Sequence, residues 1–210
     1  MYLRDDRIFT KTIRGDSGNL TVDILLDASS SQQRRQETVA VQGYMLAQCL
    51  DRVGIPVRVS SFCSLNGYTV MNLYRDYTEH SNEHIFRYFT SGANRDGLAV
   101  RLAAGMLREN TAEHRILVVL GDCKPNDVVK VQSGAGGYRD YTGTLGVEDA
   151  AAEVHAARMA GITVLGVFTG DEESLPSAQR IFGRGFARIR RMDQFADTVG
   201  GMLADCIRLL

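Results

Sequence analysis

Short apolar runs alternate with helically patterned segments along most of this 210-residue chain. The runs at Val22–Leu26, Ile116–Leu120 and Ile162–Phe168 are nearly continuous, which is typical of strands buried on both faces of a sheet. A helical pattern follows each run before the next one begins. Strands separated by helices favour right-handed crossovers between parallel neighbours. The sequence therefore predicts a doubly wound, Rossmann-like α/β fold with helices on both faces of a mostly parallel sheet.

The remaining pattern predicts where further elements lie. Asn66-Gly67 separates strands expected at 57–62 and 68–74, and Asn-Gly between apolar runs is a strong hairpin signal. The second of these strands should therefore run antiparallel at the sheet edge. A short last strand is expected at 187–189, and residues 124–146 are predicted to form a long loop. The expected helices are 32–53, 83–89, 97–108, 147–159, 175–182 and 193–209.

Composition and charge limit the class of protein. With a net charge of −1, the chain has no overall positive charge that would attract nucleic acid or an anionic membrane. No apolar run approaches the ~20 residues that a membrane span requires. We interpret residues 1–19 as a lead-in segment and 20–210 as a single domain. The local basic cluster of Arg184, Arg188, Arg190 and Arg191 is interpreted as a solvated strand edge.

The cysteines and the amino-terminal segment indicate a cytoplasmic setting. The four cysteines show no C-x-x-C pairing, so we expect reduced thiols and no structural zinc site. The first twenty residues are rich in charge and contain no apolar core of a signal peptide.

Oxygen-bearing side chains follow the strands of the predicted sheet. Asp27, Ser29 and Ser31 come after the first strand, and Asp122 comes after the strand at 116–120. Asn94 and Asp96 precede the helix at 97–108 and form the middle loop. Because ligands of such folds bind at the carboxyl ends of the strands, these loops should converge. Carboxylate, hydroxyl and amide oxygens suit Mg²⁺, with Mn²⁺ or Ca²⁺ as alternatives.

Helix capping is the competing interpretation of the same residues. Aspartate and serine favour the position just before a helix, so Asp-x-Ser-x-Ser by itself is also a capping pattern. Asn94 and Asp96 could likewise cap the helix that begins near Gly97, with or without a role as metal ligands.

Asp27-x-Ser29-x-Ser31 after an apolar first strand resembles the metal-ion-dependent adhesion site of von Willebrand factor A domains. This resemblance implies that Ser29 and Ser31 ligate the ion directly, that Asp27 does so directly or through water, and that Asp122 is the aspartate after the fourth strand. The family usually has a threonine on the middle loop, where this chain offers Asn94 or Asp96. Cys123 stands where a glycine commonly follows the aspartate.

Further motifs narrow the resemblance. Asn94-Arg95-Asp96-Gly97, Asp122-Cys123-Lys124-Pro125-Asn126-Asp127 and Gly146-Val147-Glu148-Asp149 resemble the A domain of nitric oxide reductase activation proteins. The Asn-x-Asp-Gly element is also similar to the A domain of the cobaltochelatase accessory subunit. The resemblance implies that the domain is an accessory to a MoxR-type AAA+ ATPase and takes part in the activation or metal loading of a metalloenzyme.

The expected function is cation-dependent binding of a protein partner that offers an acidic residue to the ion, without enzymatic activity. A metal-free interaction scaffold and a chelatase accessory subunit are the alternatives that share this fold. A metal-dependent phosphatase is less favoured, because Ser29 stands where that chemistry needs a second aspartate. The glycine-rich stretch from Ser133 to Gly146 lacks a phosphate-loop ending and is expected to be a surface loop rimming the site. In it, Tyr138 and Tyr141 are expected to be interface anchors or solvated loop aromatics.

Overall fold

A computed structural model describes residues 19–132, 136–189 and 191–209, so the lead-in segment 1–19 lies almost wholly outside the described residues. The strands are β1 (Leu20–Asp27), β2 (Val57–Leu65), β3 (Tyr68–Arg75), β4 (His114–Gly121), β5 (Asn126–Gln132), β6 (Tyr138–Thr142), β7 (Ile162–Phe168) and β8 (Phe186–Arg188). The helices are α1 (Gln36–Arg52), α2 (Asp96–Arg108), α3 (Gly143–Met159), α4 (Leu175–Phe182) and α5 (Phe195–Arg208). Short 3-10 turns lie at Ser30–Arg35, Glu83–Arg87, Glu172–Ser174 and Met192–Gln194.

Six strands form one sheet in the order β3-β2-β1-β4-β7-β8, and β5 pairs with β6 in a separate hairpin. All neighbours in the large sheet are parallel except β2 and β3. The turn between those two strands places Asn66 and Gly67 at φ 51° and 86°, the left-handed conformations that a tight hairpin requires. The predicted fold class and its antiparallel edge strand are therefore confirmed.

Each face of the sheet carries its own hydrophobic core. Along β1, Ile24 and Leu26 pack toward α1 and α5, whereas Leu25 packs toward α2, α3 and α4. All eight residues of β1 are buried. Because both faces of this strand are covered, neither set of alternating side chains faces water, and the strand is nearly continuously apolar in the sequence. Within the described residues, no helix is both long and apolar enough to cross a membrane.

The predicted loop at 124–146 is wrong in part, because β5 and β6 lie within it and α3 begins at Gly143, four residues earlier than expected. The hairpin depends on contacts distant in sequence. The backbones of Asn94 and Asn126 form a two-way bridge, with N···O distances of 2.8 and 3.0 Å. Tyr141 is also buried. Such anchors leave no trace in local periodicity.

The first helical segment also differs from the prediction in its opening turn. Residues Ser30–Arg35 form a 3-10 turn, and α1 begins at Gln36 rather than Gln32. The tighter turn carries the chain away from the end of β1 before the regular helix starts. Because β1 and β4 are adjacent and in register, with Leu26 beside Leu120, the loops after both strands emerge at one edge of the sheet.

Candidate functional site

The loop after β1 presents three oxygen-bearing side chains around Asp27. The Asp27 side chain is buried, and its Oδ1 accepts a 2.9 Å hydrogen bond from the backbone N–H of Ser29. The hydroxyls of Ser29 and Ser31 lie 3.0 Å apart. Ser30, between them, is exposed. The hydroxyls of Ser29 and Ser31 are therefore neighbours just after β1, although Ser31 is exposed as well and the chain enters a 3-10 turn at Ser30 instead of remaining extended.

Asp122 reaches this point from the end of β4. Its side chain is buried, and its Oδ1 accepts a hydrogen bond from the Lys124 backbone N–H at 3.1 Å. The preceding residue, Gly121, allows the ends of the two strands to approach closely. A Cβ at Gly121 would lie 3.1 Å from the Cβ of Asp27 and 3.3 Å from its Oδ2. Glycine at this position therefore lets the two carboxylates share one site.

The middle loop contributes Asn94 and Asp96, which have different surroundings. The Asn94 side chain is buried, and its Nδ2 donates a 2.8 Å hydrogen bond to Oδ1 of Asp96. Its Oδ1 accepts a 3.1 Å hydrogen bond from the backbone N–H of Asn126. Both ends of the Asn94 amide are therefore engaged within the protein, whereas the Asp96 carboxylate also feels the charges of Asp27 and Asp122.

Three acidic side chains thus crowd together at this edge of the sheet. Burial, followed by the charge of Asp122, raises the pKa of Asp27 from 3.8 to about 7, against the lowering effect of hydrogen bonds from Ser29. Burial and the charges of Asp27 and Asp122 raise the pKa of Asp96 well above its ordinary value. In the part of the chain that the structure describes, no basic side chain forms an ion pair with any of the three.

A small cavity of about 20 Å³ lies beside Asp27 and Asp96, and most of its other lining side chains are apolar, including Phe62, Val100 and Phe182. Asp27, Asp96, Gly121 and Cys123 are among its lining residues. Cys123 has a left-handed backbone (φ 56°), and burial together with the nearby carboxylates raises the pKa of its thiol. A neutral thiol is a poor ligand, so the usable donors here are oxygens.

The donor set fits a hard divalent cation only if the hydroxyls take part. The described residues contain no group of three or more histidine, cysteine, aspartate and glutamate side chains arranged to hold a metal ion by themselves. An ion at this edge would therefore depend on Ser29 and Ser31 as well as on the carboxylates. Hydroxyl and carboxylate oxygens are ligands that Mg²⁺ and Ca²⁺ accept, whereas a site of this composition does not suit zinc.

Two residues close to Asp27 were missed by sequence reasoning. Gln32 is fully buried, with its Nε2 3.5 Å from Oδ2 of Asp27, and its Oε1 has no hydrogen-bond partner among the described residues. The Tyr88 hydroxyl donates a hydrogen bond to the backbone oxygen of Asp27. Gln32 looked like an ordinary first residue of a helix, and nothing in the sequence relates Tyr88 to a loop 61 residues away.

The β5–β6 hairpin is tied to the middle loop by side chains of both elements. The Tyr141 hydroxyl donates a 2.6 Å hydrogen bond to Oδ2 of Asp149, and the Arg95 guanidinium lies 4.9 Å from the centre of the Tyr141 ring. Arg95 also pairs with Asp127 at 3.1 Å. The expectation of an exposed Tyr141 is therefore wrong, because its ring anchors the hairpin, whereas Tyr138 is exposed as expected.

Two relatives share most of the chain at moderate identity, although no protein-family model matches it. Protein NorD of Brucella suis is 29% identical over a region covering 82% of the chain. An uncharacterised protein of Pseudomonas aeruginosa is 27% identical over 81%. The chain spans 27% of the length of each relative, so it corresponds to roughly a quarter of those proteins.

Solved structures identify the fold. The vWF domain of the type V pili tip protein Mfa5 from Porphyromonas gingivalis matches with a TM-score of 0.69, covering 92% of this chain and 97% of that one at 11% identity. The PilB minor pilin from Streptococcus sanguinis matches with a TM-score of 0.67, covering 96% and 64% at 14% identity. BatB from Bacteroides thetaiotaomicron gives 0.57, with 89% and 98% covered at 17% identity. The chain therefore has a von Willebrand factor A-type fold.

Proposed function

We propose that this chain is a divalent-cation-dependent protein-binding domain, with Mg²⁺ held at the edge where Asp27, Asp96 and Asp122 converge. The observation that carries the proposal is the crowding of these three carboxylates without a basic partner in the described residues. Buried charges in proteins are paired or coordinate metals, because an isolated charge is costly to remove from water. A cation compensates the three carboxylates without requiring that they stay protonated.

The side chains divide into ligands and supports. We assign the ligand role to Ser29, Ser31, Asp96 and Asp122, with Asp27 binding directly or through water. Asn94 becomes a support, because its amide is already hydrogen-bonded to Asp96 and Asn126. The hydroxyls add neutral oxygens that Mg²⁺ accepts alongside carboxylates, and Mn²⁺ or Ca²⁺ could use the same donors.

The charge at the site bears on how a partner binds. A bound Mg²⁺ supplies two positive charges, which leave one net negative charge among three ionised carboxylates. The Asp96 carboxylate, where the family usually has a neutral threonine, therefore weakens the attraction for an outside carboxylate. We propose that a partner still offers an aspartate or glutamate to the ion, and that charges around the site contribute to the attraction.

A partner class follows from the resemblance of the sequence motifs. The A domains of nitric oxide reductase activation proteins and cobaltochelatase accessory subunits work with ring-forming AAA+ ATPases of the MoxR type. The match to protein NorD supports an accessory role of this kind. We therefore propose that the chain, in a cytoplasmic setting that suits its four free cysteines, helps such an ATPase to activate or metal-load a metalloenzyme.

Binding without catalysis is the better account of the site. A phosphatase of the aspartate-nucleophile type needs a second carboxylic acid two residues after the first, where this chain has Ser29. The hydroxyls of Ser29 and Ser31 are hydrogen-bonded to each other, and within the described residues neither is hydrogen-bonded to a histidine or lysine side chain. The arrangement is suited to holding an ion, and it offers no activated nucleophile.

The test is calorimetric titration of Mg²⁺ and Mn²⁺ into chelator-treated protein. The matched variants are Ser29→Ala and Ser30→Ala, because Ser29 faces the site and Ser30 faces solvent. We expect saturable one-site binding by the unaltered protein and by Ser30→Ala, with loss of binding by Ser29→Ala. Absence of binding by the unaltered protein would overturn the metal proposal and favour a metal-free interaction scaffold.

A further inference from the structure

A cleft of about 410 Å³ opens beside the carboxylate site, between the start of α1 and the loops that follow β7 and β8. It combines charged, polar and apolar groups. Its lining residues include Arg35, Gln42, Thr169, Asp171, Arg188 and Arg191.

The wall of the cleft lies next to the backbone of the site described above. Thr169, in its wall, donates its backbone N–H to the carbonyl of Gly121 at 3.0 Å. A Cβ at Gly170 would lie 2.8 Å from the backbone oxygen of Asp122. Arg35 follows the Asp27 loop by only a few residues. A chain segment that reached the carboxylate site could therefore continue directly into the cleft.

Three arginines line the cleft together with the carboxylates of Asp171 and Glu172, and the third arginine, Arg191, pairs with Asp193 at 2.6 Å. Arg188 pairs with Glu172 and Arg35 with Asp171, and both acidic side chains are largely exposed, at 72% and 62%. Water and salt weaken an ion pair whose acidic member is largely exposed, so an incoming carboxylate can compete with Glu172 and Asp171 for these arginines. Guanidinium groups bind carboxylates through paired, charge-assisted hydrogen bonds.

The cleft also contains polar atoms that the fold leaves unpaired. Gln42 is 2% exposed, and its Nε2 donates to the Met192 sulfur at 3.4 Å, while its buried Oε1 has no hydrogen-bond partner in the part of the chain that the structure describes. The Thr169 hydroxyl oxygen is likewise buried without a partner. An amide oxygen accepts hydrogen bonds only, so its natural complement is an N–H donor. A peptide backbone supplies such donors, whereas an inorganic anion does not.

We propose that this cleft binds an extended acidic peptide segment, whose carboxylate side chains meet the arginines and whose backbone N–H groups reach Gln42. The sequence had indicated only a solvated basic edge here. Arg188 and Arg191 line the cleft, Arg184 does not, and Arg190 lies outside the described residues. The idea that the same partner also offers a carboxylate to the ion rests on the proposed function. Recognition of an acidic peptide by the cleft is independent of that function.

The experiment measures fluorescence anisotropy of a labelled Glu-Gly repeat peptide with the full chain, against a matched Gln-Gly repeat peptide. The test variant combines Arg188→Gln with Arg191→Gln. The control combines Arg101→Gln with Arg180→Gln, which removes two exposed, ion-paired arginines outside the cleft. We expect the Glu-Gly peptide to bind more tightly than the Gln-Gly peptide, and the test variant to weaken it about tenfold. The control should leave binding unchanged.

Two further measurements separate this proposal from the metal proposal. Arg191→Glu alone, at a side chain that is 71% exposed, should also weaken the Glu-Gly peptide without endangering the fold. The peptide titrations are also repeated with chelator present and with the Ser29→Ala variant. Under both conditions, the difference in peptide affinity between the unaltered arginines and the arginine variants should persist. Equal binding of the two peptides, or an unchanged affinity in both cleft variants, would overturn the cleft proposal even if Mg²⁺ binds.

Discussion

The amide Nδ2 of Asn94 donates a 2.8 Å hydrogen bond to the Oδ1 of Asp96. This contact separates the roles of two residues that look equivalent in the sequence. The amide of Asn94 is engaged at both ends, so this residue fixes the loop. Asp96 instead lies close enough to Asp27 and Asp122 for their charges to raise its pKa.

Substitutions at these two positions should therefore have different consequences. Asp96→Asn should lower Mg²⁺ affinity by about tenfold or more, because a charged oxygen ligand is lost from the site. Asn94→Ala should instead lower the free energy of unfolding by about 1–3 kcal/mol, because it leaves buried hydrogen-bonding groups unpaired. Calorimetry and urea denaturation measure the two effects. Loss of Mg²⁺ binding in Asn94→Ala, with normal binding in Asp96→Asn, would reverse the assignment.

The stability of the chelator-treated protein should depend on pH. The pKa of Asp27 rises from 3.8 to about 7 on folding, so between these values the folded protein holds a proton that the unfolded chain has released. The free energy of unfolding should therefore fall as the pH rises through this window. Urea denaturation at about pH 5 and about pH 8 measures the slope. Asp27→Asn should flatten the slope, and an equal slope in this variant would show that other groups cause it.

Saturating Mg²⁺ should change that pH dependence in a defined direction. A cation favours the ionised carboxylate, so it competes with the proton at Asp27. Mg²⁺ affinity should therefore rise with pH over the same window, and the loss of stability toward high pH should shrink when the ion is present. Titration of Mg²⁺ at several pH values checks this. An affinity that is independent of pH would argue against a ligand role for Asp27.

Two glycines of α2 should respond oppositely to substitution by alanine. A Cβ at Gly97 would lie 2.1 Å from Oδ2 of Asp149, whereas a Cβ at Gly105 meets no atom within 4 Å. Gly97→Ala should therefore destabilise the protein by about 2–3 kcal/mol through overpacking. Gly105→Ala should stabilise it by about 0.5–1 kcal/mol, because alanine is the better helix former. Equal changes in urea midpoint for the two variants would contradict this close packing of α2 against α3.

The hydroxyl of Tyr141 should matter more than that of Tyr138. Tyr141→Phe removes a hydrogen bond to the Asp149 carboxylate inside the contact between the hairpin and α3, and should cost about 1–2 kcal/mol. Tyr138→Phe alters a side chain that is 73% exposed and should leave the free energy of unfolding nearly unchanged. Chemical denaturation of both variants makes the comparison. No loss in Tyr141→Phe would mean that the hydroxyl does not anchor the hairpin.

Local pattern sufficed to predict much of the fold and the edge of the sheet at which Asp27 and Asp122 lie. Apolar runs predicted the strands, Asn66-Gly67 predicted the antiparallel edge strand, and the loops after β1 and β4 were expected at one edge. These features depend on side-chain periodicity, turn chemistry and the geometry of parallel sheets. The strands and the hairpin are set by residues close together in the chain, and the shared edge follows from the general geometry of parallel sheets, so the sequence alone determined them.

Only the tertiary structure decided the features that depend on distant residues. The β5–β6 hairpin is ordered by a bridge between Asn94 and Asn126 and by the burial of Tyr141, and neither contact has a local signal. Gln32 reaches Asp27 because a 3-10 turn replaces the expected first turn of α1. The surroundings of Asn94 and Asp96, and the cleft that Arg188 lines, arise where separate loops meet. Tertiary packing brings these residues together, whereas the sequence pattern shows which residues are present and not which of them are in contact.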